Sequence, residues 1–391
     1  MKVGFFANSD FYLYNFRLHL MKTLKDAGFE VFAVAPITND FFVSEIEKNG
    51  IIFLPCDLKR GVYSFLSNLK YFWQIFKICR KNKFDICHNF TFKSNILATI
   101  SQKLVGIPRV FCSVTGLGSV YVGQSLIFRI LRTIADLAYR LTSVLAQKIF
   151  FQNQEDLNYF LSKKIVAEHK TVLIFGSGVD TQYFSPLNIE NVKIESLKKE
   201  IGKKEGDLIL TMISRLLWSK GAAEFVKAAE ILKQKYKNLI FFLVGPLDLE
   251  NPEGVPFSKI EEWQKNGLIK YLGERRDVRE ILFLSDVFVF PSYYREGVPR
   301  ILLEAGSMEK PLVAADNIGS KEVVENNING FLVKSKNSQK VAEAIEKLIL
   351  DKDLREKFGR AAREKVIREF EEKGVIEKTM KVYQETITKK Q

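Results

Sequence analysis

At 391 residues, 47% hydrophobic and 27% charged, the chain is long enough for two ordinary globular domains and too rich in apolar residues to be disordered. Its four cysteines, Cys56, Cys79, Cys87 and Cys112, match no zinc or redox spacing and form no small disulfide framework, so buried thiols in a reducing cytoplasm are expected. The net charge of +13 is local: between Lys59 and Lys148 fourteen Lys or Arg stand against Asp85 and Asp136 alone, which implies an anionic partner such as a nucleic acid, an acidic lipid surface or a phosphorylated substrate.

The chain opens on MKVGFFANSDF, whose apolar run is too short for a signal peptide. Short aliphatic runs then alternate with helical patterns, as in parallel sheets covered by helices. The strand candidates of the first half are KVGFF, EVFAVAP, IIFLP, FDICHNF, RVFCSV, KIFFQ and TVLIF. YNFRLHLMKTLKDAG reads as a helix ending at Gly28. Residues 59–83 interleave Tyr63, Phe65, Tyr71, Phe72, Trp73 and Phe76 with seven cations. Such a helix suits the interface of an anionic membrane, where each cation adds about 1 kcal/mol. Lys59, Arg60, Lys70, Trp73, Lys77 and Arg80 are therefore candidates for membrane contact. The run SLIFRILRTIADLAYRLTSVLA carries Arg129, Arg132, Asp136 and Arg140 and is expected to lie on a membrane rather than cross it.

After the turn-rich FGSGVDTQYFSP, the charged connector NIENVKIESLKKEIGKKEGD marks a domain boundary near Pro186. The second half restarts the alternation with DLILTMIS, LIFFLVG, GLIKYLG, DVFVFPS, PLVAA and GFLV, and a helical tail runs from about Ser338. The expected division is a first domain over 1–185, a second over 186–372, and a terminal helix over 373–391 as a candidate to cross back to the first. Two α/β units in series create a cleft, and ligands of open parallel sheets bind outside the carboxyl ends of strands.

Past DVFVFPS, Glu296 stands just before a helix with Pro299 in its first turn, where a missing N–H costs little. Glu304 follows roughly 7.5 Å further along that helix. The two carboxylates can grip opposite ends of an elongated polar ligand. The turn of Gly297, Val298 and Pro299 brings helix N-terminal N–H groups to the same place, which favours a diphosphate. A nucleotide sugar fits, its sugar at Glu296 and its ribose at Glu304. The plainer alternative is that Glu304 pairs with Arg300 four residues before it. In TMISRLLWSKGAAEF, Arg215 follows a strand and Lys220 precedes a helix. Both can bind the phosphates, each charge-assisted contact contributing roughly 1.5 to 3 kcal/mol, or both are ordinary loop cations.

The spacing of Glu296 and Glu304, with SRLLWSKG, VGP at 244–246, YLGERRDV at 271–278 and GSGVDTQYFSP, resembles the retaining GT-B glycosyltransferases of family 4 over nearly the whole chain. The resemblance implies an α/β fold of two Rossmann-like parallel-sheet domains facing across a cleft. The second would hold the nucleotide-sugar donor, with Gly245 and Arg275 added to its contacts, and the first would hold the acceptor. No metal or cofactor would be required. YNFRLHL, TFKSN and VTGLGSVY are most similar to bacterial members that extend polyprenyl-diphosphate-linked saccharides. That similarity implies a UDP-linked N-acetylhexosamine donor, UDP-GalNAc before UDP-GlcNAc, and a peripheral place on the inner face of the cytoplasmic membrane.

By the same resemblance Tyr14, Asn15, Arg17, Lys93, Ser94 and Thr115 are acceptor candidates, while Asn8 and Ser9 end the first strand within reach of donor phosphates. The chain departs from the pattern at Thr115 and at Phe92, where many relatives carry histidine. His88, at the end of FDICHNF, is the candidate substitute, with a core residue as the alternative. No carboxylate of the first domain stands where a nucleophile is needed for double displacement. The resemblance implies instead a front-face substitution, in which the donor's phosphate oxygen takes the acceptor proton. The rival readings are a sugar-nucleotide epimerase of the same fold and a basic nucleic-acid-binding protein, although no helix-turn-helix, zinc or RNP-like motif supports the latter.

Overall fold

The computed structural model describes residues 1–58, 65–121, 123 and 125–388, and the chain divides into two units, 1–177 with 373–391, and 178–372. The first unit is built on β1 (Lys2–Phe6), β2 (Glu30–Ala35), β3 (Ile52–Pro55), β4 (Ile86–Phe90), β5 (Arg109–Val114), β6 (Lys148–Phe151) and β7 (Thr171–Leu173). Between these strands run α1 (Asp10–Asp26), α2 (Asp40–Lys48), α3 (Phe65–Asn82), α4 (Thr99–Leu104), α5 (Leu126–Leu145) and α6 (Gln154–Ser162). The strands lie in the order β3-β2-β1-β4-β5-β6-β7, with Val3 opposite Val31 on one side and Ile86 on the other. Every pairing is parallel, so both faces are covered and the strands read as unbroken apolar runs.

The faces divide by residue parity. Val3, Phe5, Ile86, Phe90 and Phe111 pack with Leu13, Leu20 and Leu24 of α1. Phe6, Cys87 and Val110 point the other way, onto Tyr71, Ile75 and Cys79 of α3, and Cys112 and Val114 carry that face on to Ala135 and Tyr139 of α5. The helices α3, α4 and α5 therefore form one layer. All four cysteines are buried free thiols.

The second unit repeats the plan with β8 (Leu208–Ile213), β9 (Leu239–Val244), β10 (Lys270–Tyr271), β11 (Val287–Phe290), β12 (Leu312–Ala315) and β13 (Gly330–Val333). Their order is β10-β9-β8-β11-β12-β13, again parallel throughout. Its helices are α7 (Asn191–Ile201), α8 (Ala222–Lys233), α9 (Phe257–Lys265), α10 (Val278–Leu284), α11 (Arg300–Ser307), α12 (Ile318–Val323), α13 (Ser338–Leu350) and α14 (Lys352–Phe370). The last helix, α15 (Glu372–Thr388), places Val375 and Tyr383 in the core of the first unit beside Phe5 and Phe111.

Each strand run read from the sequence is a strand. Two expectations differ in detail. The units meet at Ser177 and Gly178 rather than at Pro186, because the segment after Gly178 is tied to the second unit: Val179 N–H donates to Phe370 and the Arg363 guanidinium donates to the Thr181 and Phe184 carbonyls. The charged connector contains α7, which buries Ile194, Leu197 and Ile201.

Candidate functional site

Strand order reverses between β8 and β11, and the two loops that leave their carboxyl ends are sewn together at such a switch point. The Ser219 carbonyl accepts the Tyr293 N–H at 3.0 Å and the Tyr294 N–H at 3.1 Å. Asn317, which caps α12 through Ile318 N–H, donates its amide to the Ser292 and Tyr294 carbonyls. Backbone packing is close throughout. A Cβ on Gly319 would stand 1.8 Å from the Gly297 carbonyl oxygen, and one on Gly245, whose φ is +133°, would stand 1.9 Å from that of Ser214, so neither position admits a side chain.

This frame presents Lys220 at the end of the Trp218–Lys220 turn and Glu296 on the loop after β11. The Lys220 Nζ lies 2.6 Å from Glu296 Oε1, with the side chains 10% and 22% exposed. Glu296 also accepts from the Ser292 hydroxyl at 3.2 Å, and the ammonium sits 5.1 Å from the Tyr294 ring centroid. A cation and a carboxylate are thus held nearly dry at a strand end, each compensating the other. Arg215 lies on the same loop, more exposed, and pairs with Asp248 at 2.8 Å.

Pro299 is the N-cap of α11 rather than its first residue, and Gly297, Val298 and Pro299 are all buried. The Glu304 carboxylate accepts from the Arg300 Nε at 3.0 Å, the pairing held open as the plainer alternative. Glu304 is 14% exposed on its side chain. Burial raises its pKa above the ordinary carboxylate value, and the Arg300 charge works against that rise. Arg275 is gripped by Glu200 at 2.6 Å and Asp277 at 2.6 Å, which raise its pKa further, so its charge is already neutralised within the second unit.

The first unit uses its polar strand-end residues differently. His88 is 2% exposed. One ring nitrogen bonds the Tyr383 hydroxyl and the other lies 2.8 Å from Ser113 Oγ. Burial first, and the Arg17 charge second, hold its pKa well below the usual value. His88 is thus enclosed as a core residue, the alternative held open for it, rather than presented as a catalytic group. Ser94 is likewise fully buried, its Oγ accepting from the Tyr71 hydroxyl at 3.3 Å. Ser9 is the N-cap of α1, its Oγ accepting the Tyr12 N–H at 3.1 Å, while Asn8 beside it is exposed.

Arg17 is 7% exposed. Its guanidinium donates to the Tyr12 hydroxyl at 2.9 Å and lies 4.5 Å from the Phe90 ring centroid. Its buried Nε has no hydrogen-bond partner. Tyr14 packs on Phe41 and Phe42, Asn15 donates to the Phe11 carbonyl at 2.9 Å, and Thr115 is half-buried one residue past β5. Partial burial lowers the Lys93 pKa. On α3, Trp73 is 51% exposed, Lys70 pairs with Asp57 at 2.6 Å, and Lys77 and Arg80 are exposed. Lys59 and Arg60 lie outside the described residues.

Three framing residues escaped the sequence reading. Asp248 and Asn317 act through bonds to distant loops. Asp10, fully buried, accepts N–H groups of Phe11, Thr38 and Asn39 and the Thr38 hydroxyl. Only Asn317 left a local signal, as a capping residue two positions past the strand PLVAA. Among the described residues no group of three or more His, Cys, Asp or Glu is placed to hold a metal, and no helix is long and apolar enough to cross a membrane.

The model of the family described as "Glycosyl transferases group 1" matches residues 193–365, and that described as "Glycosyl transferase 4-like" matches residues 2–153. The N,N'-diacetylbacillosaminyl-diphospho-undecaprenol alpha-1,3-N-acetylgalactosaminyltransferase of Campylobacter jejuni is 30% identical over 387 residues, 99% of each chain. A UDP-Gal:alpha-D-GlcNAc-diphosphoundecaprenol alpha-1,3-galactosyltransferase of Escherichia coli is 26% identical over 330 residues, 84% of this chain and 82% of that one. The crystal structure of a glycosyltransferase from Rickettsia africae shares the fold, with a TM-score of 0.76 at 22% identity over 99% of this chain and 98% of that one.

Proposed function

We infer the reaction from one premise: this chain belongs to the group 1, GT4-like glycosyltransferases, enzymes of GT-B fold. The proposed reaction is transfer of a sugar, with retention, from a UDP-sugar to a polyprenyl-diphosphate-linked saccharide. An N-acetylhexosamine is favoured, GalNAc before GlcNAc, because a relative 30% identical over 99% of both chains is named for GalNAc transfer to such an acceptor. Neither rival, epimerase or nucleic-acid binder, is favoured by the relatives.

The observation that carries the reading is the Lys220–Glu296 pair, 2.6 Å apart and nearly dry at the carboxyl ends of β8 and β11. In the proposed site a diphosphate takes over Lys220, and the sugar hydroxyls take over Glu296. The pair holds each partner in place until the donor arrives, and the loop bonds to Ser219 and Asn317 keep the cost of reorganisation low. Arg215 and the N–H groups at the start of α11 add to the phosphate contacts, Glu304 meets the ribose, and no metal is required. The acceptor hydroxyl then attacks the anomeric carbon as its bond to the diphosphate breaks, and the hydroxyl proton passes to a phosphate oxygen of the leaving group. A carboxylate nucleophile on the first unit is disfavoured because Asp10 uses both oxygens on Thr38, Asn39 and Phe11. The acceptor's diphosphate is assigned to Arg17, a buried cation with an unpartnered Nε, and to Lys93. The cations of α3 hold the enzyme at the membrane's inner face.

Purified protein incubated with a panel of UDP-sugars, with and without membrane lipid extract, tests the reading through UDP release. Lipid-dependent release from one UDP-N-acetylhexosamine is expected. Release confined to UDP-hexoses or GDP-sugars overturns the donor, and donor consumption without lipid makes the enzyme an epimerase or hydrolase.

A further inference from the structure

The outer surface of α5 is apolar where a soluble helix is normally polar. Ile127, Ile130, Ile134, Leu137, Leu141 and Val144 are all exposed, from 49% at Leu141 to 73% at Val144. At about 100° per residue these six fall within an arc of roughly 100°, while Ala135, Tyr139 and Thr142 of the same helix are buried. The helix thus has two apolar faces, one on the core and one on nothing within the described residues. A stripe that runs the length of a 20-residue helix is larger than the scattered apolar side chains of ordinary surfaces.

The charge around the stripe selects what covers it. Arg129 and Arg140 are exposed and lie along one flank of the arc, about 40 to 60° beyond its edge. Arg140 reaches the Lys163 carbonyl at 2.8 Å, beside the exposed Lys163 and Lys164. The single acid of the helix, Asp136, is turned to the Tyr121 and Tyr159 hydroxyls, each 2.8 Å away, so no carboxylate faces outward. On α3 and α4, in the same layer, Leu66, Trp73 and Leu104 are exposed among Lys77, Arg80 and Lys81. A second copy of the chain would bring two such basic faces together, and like charges repel. An acyl layer edged by anionic headgroups meets both requirements.

We propose that α5 is the element that enters the lipid: its outward stripe lies in the acyl boundary of an anionic bilayer, parallel to the surface, with Arg129 and Arg140 at headgroup level and the cations of α3 alongside. This places the main apolar anchor on α5, not on the aromatic residues of α3. It deepens the peripheral reading above and rests on it, while the test can fail separately from the transferase reading.

The full-length protein is floated with vesicles of phosphatidylglycerol and phosphatidylethanolamine, and with phosphatidylcholine alone. The wild type is expected to float with the anionic vesicles only. Ile130→Glu/Leu137→Glu is expected to lower the bound fraction at least 10-fold with an unchanged unfolding midpoint, since both side chains are more than half exposed. Arg129→Glu/Arg140→Glu is expected to lower it several-fold and to remove most of its salt dependence. With a short-prenyl, water-soluble acceptor the apolar double variant is expected to keep turnover within about twofold of wild type, and to lose at least 10-fold on a vesicle-embedded long-chain acceptor. Wild type that stays with the lipid-free fraction overturns the proposal, as does a double variant that floats like wild type. A lipid-free dimer that the same substitutions split also overturns it, by making a second copy the cover. Absence of UDP release from every preparation counts against the transferase reading alone, because flotation still decides the surface.

Discussion

The two units share a doubly wound parallel topology, yet they use polar residues at their strand ends in opposite ways. At the second sheet, Lys220 and Glu296 face each other 2.6 Å apart, the pair that the proposed reaction would trade for its donor. At the first, His88 is closed in by Ser113 and Tyr383, and Asp10 is fully occupied by the loop after β2. The difference teaches that a polar strand end is a site only when its partners are exchangeable. On that proposal, a largely buried ion pair between two loops can be traded for a substrate, whereas a bond to a core hydroxyl cannot.

The sharpest way to break this comparison is Lys220→Ala. Loss of one pre-placed charge at a departing diphosphate is expected to lower turnover about 100-fold or more, roughly 3 kcal/mol. Turnover is measured as UDP release and normalised to the folded fraction by near-ultraviolet dichroism, because Glu296 is left without its partner. Near-normal turnover would leave the pair a structural tie and remove the contrast between the units.

His88→Leu is the complementary change. It leaves the Ser113 and Tyr383 hydroxyls unpaired in the core, at an expected stability cost of about 1–3 kcal/mol, read from the denaturant midpoint. Turnover of the folded fraction is expected to stay within about twofold of wild type. A large fall in turnover with unchanged stability would return His88 to the chemistry.

The smallest expected effect is on pH. Burial keeps His88 neutral in the fold, while the unfolded chain takes up a proton near the ordinary pKa of about 6.5. The unfolded state then binds more protons below that pH, so stability is unaffected above it and falls as the pH drops further. Denaturant midpoints between pH 7.5 and 5 should fall more steeply for wild type than for His88→Leu. Parallel slopes would mean that some other group carries the acid sensitivity.

Much of this was legible in the sequence. The inner strands were readable because they are buried on both faces and leave unbroken apolar runs, and the spacing of Glu296 and Glu304 with SRLLWSKG located the second unit's loops. The helix α7 was hidden by its lysines and glutamates, although Ile194, Leu197 and Ile201 stand at helical spacing. The surroundings of His88 were not legible for a different reason. A polar residue at a strand end looks the same whether it faces a ligand or a neighbouring helix, and its direction depends on a segment as remote as Tyr383. Asp248 and Asn317 were missed because their roles exist only between loops distant in sequence.

The position of Tyr383 has a consequence for the making of the protein. Its ring closes the core of a unit whose other strands and helices lie within residues 1–177. During synthesis that core waits, with Phe5, Phe111 and the His88 network still open on one side, until α15 has followed the whole of the second unit off the ribosome. The N-terminal half therefore cannot complete its fold ahead of the rest, as a contiguous domain can. Removing α15 should therefore injure the beginning of the chain and spare its middle.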